Sequence, residues 1–146
     1  MSEMVLRPAD LNDSDRLFQW RNDPQTRTAS RNPRELGRAE HQAWLEDAVS
    51  RDDRQLMIAE VDGQAVGTVR VDRGDDGCEI SWTVAPAARG QGVGQRMVSQ
   101  LVAKLEGRLW SEVRSGNEAS SRIAESAGMR LLDESDGVKY YVRDQA

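Results

Sequence analysis

The chain has 146 residues, 38% of them hydrophobic and 31% charged, with 25 acidic against 20 basic side chains and a net charge of −5. A domain of this length buries about two-thirds of the surface its unfolded chain exposes, so one core and one site over a single domain, residues 1–146, are expected. The acid excess argues against a nucleic-acid partner, no run approaches the ~18 apolar residues of a membrane span, and a lone Cys78 beside a lone His41 leaves no disulfide and no cysteine-rich zinc cage, hence no metal.

Without a basic-then-apolar leader at the N-terminus, the expected location is the cytoplasm. Val5 and Leu6 end at Pro8 and predict a first strand. Asp10, Asn12 and Asp13 are candidate caps for a helix that carries Leu17, Phe18 and Trp20 to about Asp23-Pro24. Thr26 to Gly37 reads as a loop, and a second helix follows from about Ala39 to Ser50, with Ala43, Trp44, Ala48 and Val49 on its recurring face.

Leu56–Val61 and Ala65–Val71 are β-rich runs joined through Asp62-Gly63, a dipeptide suited to the positive φ angles of a tight hairpin. A turn at Gly74 to Gly77 leads into the strand Cys78–Val84, which Ala85-Pro86 closes. Met97, Val98, Leu101, Val102 and Leu105 form one helical stripe, and Leu109–Val113 resumes a strand. That strand-helix-strand passage predicts parallel pairing by a right-handed crossover. Glu118–Ala127 is a short helix before Gly128, and Met129–Leu132 with Val138–Val142 make a last hairpin through Asp136-Gly137. The order β-α-α-β-β-β-α-β-α-β-β mixes antiparallel and parallel pairing, an α+β fold (α/β in looser usage) with a mixed central sheet flanked by helices.

Between the strand and the helix lies Arg89-Gly90-Gln91-Gly92-Val93-Gly94. Glycines permit close backbone approach, and the N–H groups of a helix start attract an anion. The spacing does not match a nucleoside-triphosphate loop, and Gly94 comes one residue too early for the dinucleotide fingerprint. Arg89-x-x-Gly92-x-Gly94 fits the signature [RQ]-x-x-G-x-[GA], and with the element order around it the chain resembles the GNAT family of N-acetyltransferases over essentially its whole length.

That resemblance implies acetyl-CoA as cofactor, its pyrophosphate on Arg89, Gly90, Gln91, Gly92, Val93 and Gly94 and its pantetheine arm along Thr83, Val84 and Ala85. Asn117-Glu118-Ala119-Ser120 with the later Gly128-Met129 is similar to the N-x-x-S…G-F pattern of the branch that acetylates protein N-terminal amines, including those of ribosomal proteins, with Met129 in place of the aromatic. It implies cofactor contacts from Asn117 and Ser120; Asn117 is equally a helix cap.

An amine attacks only when neutral, so a base is required. Glu79, on the strand before the cradle, resembles GNAT enzymes that carry a catalytic glutamate there, and equally reads as a solvent-facing strand residue. A backbone N–H near Val84, freed by splaying or a bulge, would face the thioester oxygen. The family's thiolate-protonating tyrosine corresponds to Ala124, which leaves Ser120 as the residue beside the sulfur. A covalent route through Cys78 with His41 is the minor alternative.

Trp20-Arg21-Asn22 and His41-Gln42-Ala43-Trp44 resemble the W-R-N…H-x-x-W pattern of a GNAT branch with amino-sugar acetyltransferases. This implies an acceptor wall of Trp20, Arg21, Arg27, Arg31, His41 and Trp44 and a small-molecule primary amine, such as an amino sugar or nucleotide-linked amino sugar, as acceptor. The tryptophans are equally core aromatics. The alternatives are a protein N-terminal amine as acceptor and a non-catalytic acyl-CoA-sensing domain. By family resemblance the protein is a monomer or a homodimer.

Overall fold

Seven strands form one sheet in the order β1-β2-β3-β4-β5-β7-β6, described by a computed structural model over residues 2–144. They are β1 (Met4–Pro8), β2 (Arg54–Val61), β3 (Gln64–Gly74), β4 (Gly77–Val84), β5 (Leu109–Arg114), β6 (Arg130–Ser135) and β7 (Val138–Arg143). All neighbours are antiparallel except β4 and β5. The helices are α1 (Ser14–Asn22), α2 (Pro24–Ala29), α3 (Arg38–Ser50), α4 (Val93–Val102) and α5 (Glu118–Ser126).

The predicted hairpins form as their turn residues require. Asp62 and Gly63 have φ of 54° and 76°, and Asp136 and Gly137 have φ of 53° and 77°, so both central residues of each turn are left-handed and match the twist of the strands. The last hairpin does not simply extend the sheet. β7 inserts beside β5, and β6 becomes the outer edge.

Two expectations are corrected. Thr26–Ala29 is helical: Pro24 occupies the first turn, where its missing N–H costs nothing, and the Asp23 carboxylate accepts from the Thr26 N–H at 3.1 Å. Three helices therefore precede β2. The face that α3 buries is His41, Leu45 and Ala48, spaced i, i+4, i+7, whereas Ala43 and Val49 are exposed.

Alternation along β3 and β4 divides the sheet into two working faces. Val69, Val71 and Ile80 are buried on the face toward α4, where Gly67 lies against Met97. Their neighbours Thr68, Arg70, Asp72, Glu79, Ser81 and Thr83 point to the opposite face, cross-paired as Thr68 with Thr83, Arg70 with Ser81 and Asp72 with Glu79. Leu56 and Ile58 continue that second face beneath α1 and α3.

The corner that aims α1 across this face is held by Asp13, which is 1% exposed. Its carboxylate accepts from Arg7 at 2.9 and 2.8 Å and from the Asp10 N–H at 2.9 Å. Burial opposes its charge, but the bonds from Arg7 and Asp10 and the nearby Arg16 outweigh that cost and hold the carboxyl below its ordinary value. A depressed carboxyl stabilises the fold fully above the ordinary carboxylate range, and the contribution is lost as pH falls through the folded-state value. Asp13→Asn is expected to destabilise the protein by about 2–4 kcal/mol at pH 7 in urea unfolding, with the gap from wild type closing below about pH 4.

Candidate active site

β4 and β5 are paired at only two positions, Cys78 with Leu109 and Glu79 with Trp110. Beyond them the Ser111 hydroxyl donates to the Ile80 carbonyl at 2.9 Å, and the strands then part. Cys78 N–H donates across to Arg108, while Ala85 N–H donates the other way, to Val66 on β3 at 2.8 Å. Backbone direction alternates along a strand, so the N–H groups of Trp82 and Val84 point into the gap, where no strand stands opposite. The opening thus arises from divergence; the register shifts among the described strands fall between β2 and β3, where Val66 of β3 is the extra residue, and in β6 at Leu132.

A cleft of about 1000 Å³ occupies this gap. One wall is the end of β4, with Trp82, Thr83 and Val84; a second is the loop and first turn of α4, with Arg89, Gly90, Gly92, Val93 and Gly94; a third is the start of α5, with Asn117 and Ser120. The loop turns on Gly90 and Gly92, both at φ 76°, and α4 then begins with N–H groups that have no helical carbonyl before them. Gly94 is needed for a different reason. A Cβ there would lie 2.4 Å from Ile123 Cδ1 and 3.2 Å from Val84 Cγ2, so its bare backbone lets α4, α5 and β4 meet.

Asn117 Oδ1 accepts from the Ser120 N–H at 3.2 Å and caps α5. The Ser120 hydroxyl accepts from the Trp82 indole at 3.2 Å, which pins the first turn of α5 to β4 beside the gap. Ala124, one turn on, is fully buried.

Some predicted cradle residues point elsewhere. Ala85 is buried, its N–H spent on β3, and Gln91 donates to the Ala87 carbonyl at 3.4 Å. The Arg89 guanidinium is turned from the glycines: it donates to Asp23, to Thr26 Oγ1 at 3.1 Å and to Gln25 Oε1 at 3.1 Å. It ties the loop to the cap of α2, and Asp23, held by Arg89 first of all, sits below its ordinary pKa.

A second cavity, of about 300 Å³, lies on the other sheet face under α1 and α3. It gathers Trp20, Arg21, His41 and Trp44 with Leu17, Leu36, Leu56, Thr68, Arg70 and Ser81. Trp82 and Thr83 line both cavities, so the two meet across the end of β4. Sequence reading missed Thr68, Arg70 and Ser81, although their alternation with buried Val69, Val71 and Ile80 is the signal that places them with Thr83.

His41 is 2% exposed, in edge contact with Phe18 and tilted against Trp44, each at 5.6 Å between ring centres. Burial first, then Arg21 and Arg38, push its pKa down, so it is neutral at pH 7. Cys78 packs with the core on the opposite sheet face, which separates it from His41. Among the described residues no cluster of His, Cys, Asp and Glu could hold a metal, and no helix is long and apolar enough to cross a membrane.

Arg27 and Arg31 line neither cavity. Arg27 donates to the Pro33 carbonyl at 3.0 Å. Arg31 bridges Glu79 at 3.0 Å and Glu112 at 2.7 Å. Glu79 lies two residues before Ser81 on the same sheet face, just beyond the second cavity. Half-burial lifts its pKa and Glu112 adds to the rise, against the pull of Arg31.

The family model of the GNAT acetyltransferase domain matches residues 3–130. The chain belongs to the GNAT acetyltransferase family. Solved structures share the fold at low sequence identity. A domain from Methanocaldococcus jannaschii superposes with a TM-score of 0.88 at 22% identity, covering 99% of each chain. Aminoglycoside acetyltransferase AAC(6')-Ib, solved with coenzyme A and kanamycin, gives 0.80 at 20% identity over 97% of this chain and 95% of that one. The ribosomal L7/L12 α-N-protein acetyltransferase RimL, solved with coenzyme A, gives 0.83 at 15% identity over 99% and 96%. No curated protein matches the sequence significantly.

As a GNAT domain the chain depends on Gly94 for the seam between α4, α5 and β4. Gly94→Ala is expected to cost about 1 kcal/mol net, overpacking of ~1–3 kcal/mol offset by ~1 kcal/mol of helix propensity. Removing the methyl it strikes should restore it: in a double-mutant cycle read by urea unfolding, Ile123→Val costs at least about 1 kcal/mol less beside Gly94→Ala than in the wild type.

Proposed function

We propose that this GNAT protein is an acetyl-CoA-dependent N-acetyltransferase acting on a primary amine of a small molecule. The observation that carries the reading is the meeting of two cavities at Trp82 and Thr83: one long and rimmed by a helix start, the other small and enclosed by aromatic side chains. The coenzyme A present in GNAT structures of the same fold supports assigning the first to the cofactor.

In this reading the pyrophosphate rests on the N–H groups at Gly90 to Gly94, and charge from the start of α4 substitutes for Arg89, whose guanidinium is engaged with Asp23. Pantetheine runs along the open edge of β4 and takes the hydrogen bonds that β5 would otherwise make. The thioester then lies beside Val84, whose N–H faces the carbonyl oxygen and stabilises the negative charge that develops there.

The amine enters from the small cavity. Its nitrogen lone pair attacks the thioester carbon, a C–N bond forms, the C–S bond breaks and the thiolate leaves beside Ser120. One proton from the nitrogen passes through water to Glu79, the carboxylate on the same sheet face, and the thiolate takes a proton from solvent. Glu79 has a raised pKa and a pairing that Arg31, exposed over most of its length, can loosen. The small volume of the second cavity, about 300 Å³, favours a free small molecule over a peptide N-terminus.

Glu79→Gln is expected to lower kcat about 10²-fold with little change in the KM for acetyl-CoA, measured by thiol release. Because the base must be ionised, the wild-type rate falls as pH drops through a value above the ordinary glutamate range, and that acidic limb disappears in the variant. Unchanged kcat with altered thermal stability would make Glu79 a structural partner of Arg31 only.

A further inference from the structure

We infer that the acceptor is a compact amine that carries its own carboxylate beside a flat apolar body. This rests on the assignment of the small cavity to the acceptor. No aspartate or glutamate lines that cavity, while two arginines, Arg21 and Arg70, do. The two cations are not equivalent. Arg70 donates to Asp72 at 2.9 Å, a carboxylate it shares with Arg54, so it is tied by an ion pair within the sheet.

Arg21 has no such partner. Its guanidinium donates only to backbone carbonyls, Asn32 at 2.6 Å and Arg34 at 3.5 Å, and forms no ion pair among the described residues. The carboxylate that acts on it, Glu40, is bound by Arg34. Burial first, then Arg27 and Arg34, depress the Arg21 pKa, as expected for a cation in a positive field. A half-buried charge without a counter-charge is left for a ligand to neutralise, and a guanidinium fork fits a carboxylate.

A second observation points the same way. His41, 2% exposed and on the cavity wall, has its Nδ1 buried with no hydrogen-bond partner. A neutral imidazole beside an unpaired arginine suits one anionic group.

The remaining walls are apolar, with Trp20, Trp44, Leu36 and Leu56, and about 300 Å³ lies at the small end of ligand sites, enough for one ring or a short chain. A polycationic amino sugar such as the kanamycin found with AAC(6')-Ib would set further ammonium groups against Arg21 and Arg70. The acceptor inferred here therefore resembles an apolar amino acid.

Trp20 and Trp44 report occupancy directly through their fluorescence, without turnover and without cofactor. Titration with phenylalanine, phenylalaninamide and kanamycin is expected to give phenylalanine a Kd at least tenfold below the other two. Arg21→Gln should abolish that preference while leaving acetyl-CoA affinity unchanged, and Arg21→Lys, which keeps the charge and guards against a folding defect, should retain part of it. Equal or tighter binding of the amide or the polycation, absence of phenylalanine binding, or a preference that persists in Arg21→Gln overturns the inference. Failure of acetyl-CoA to bind the wild type would instead defeat the acetyltransferase reading, and the two outcomes are read separately.

Discussion

Two rungs of parallel pairing between β4 and β5, followed by divergence, govern the rest of the molecule. A backbone N–H buried without a partner costs about as much as a lost hydrogen bond, so a fold that leaves Trp82 and Val84 unpaired at the centre of its sheet must have them met by water or a ligand. The parting is maintained from both sides. Ser111 closes the last rung on Ile80, and Ser120 with Trp82 fixes α5 against the far end of β4. Between those two ties the strands hold a gap where an extended chain can act as the missing strand.

The division of the sheet into two faces makes the gap a meeting point. α4 and α5 occupy one face and bring a helix start to the cleft, which α2 also lines, whereas α1 and α3 lie over the small aromatic cavity on the other face. Arg89 joins the two sides, since it belongs to the glycine loop yet holds the cap of α2 through Asp23 and Thr26. A ligand that displaced the loop would therefore disturb the helices over the second cavity. Charge is distributed by the same logic: carboxylates pair with Arg7, Arg31, Arg54, Arg70 and Arg89, and Arg21 is left without one at the cavity wall.

Much of this was legible in the sequence because it rests on local chemistry. The Asp-Gly turns, the stripe from Met97 to Val102, the glycine turn before α4 and the parallel crossover follow from backbone preference and periodicity, and together with the [RQ]-x-x-G-x-[GA] match they led to the family. What was not legible depends on partners distant in the chain. Asp23 engages Arg89 across 66 positions, and Arg31 reaches Glu79 across 48. Neither pairing has a local signal, so the sequence alone does not show that Arg89 and Arg31 already hold carboxylates of their own chain. The helix at Thr26–Ala29 has no sequence signal because Ala29 is the lone apolar side chain in that stretch and no face is buried; a proline and a capping aspartate make it. The buried face of α3 was misplaced because Ala43 and Val49 are apolar but lie off the line of His41, Leu45 and Ala48.

The account turns on whether the open edge of β4 and the start of α4 receive acetyl-CoA. Amide chemical shifts followed by NMR during titration with acetyl-CoA, with NADH and ATP as controls, address this at the atoms concerned. The largest changes are predicted at the N–H groups of Trp82, Val84 and residues 90–95, with acetyl-CoA alone producing them at low concentration. Binding that leaves those amides unmoved, or an equal response to NADH or ATP, would contradict the assignment of the gap between β4 and β5 as the cofactor site.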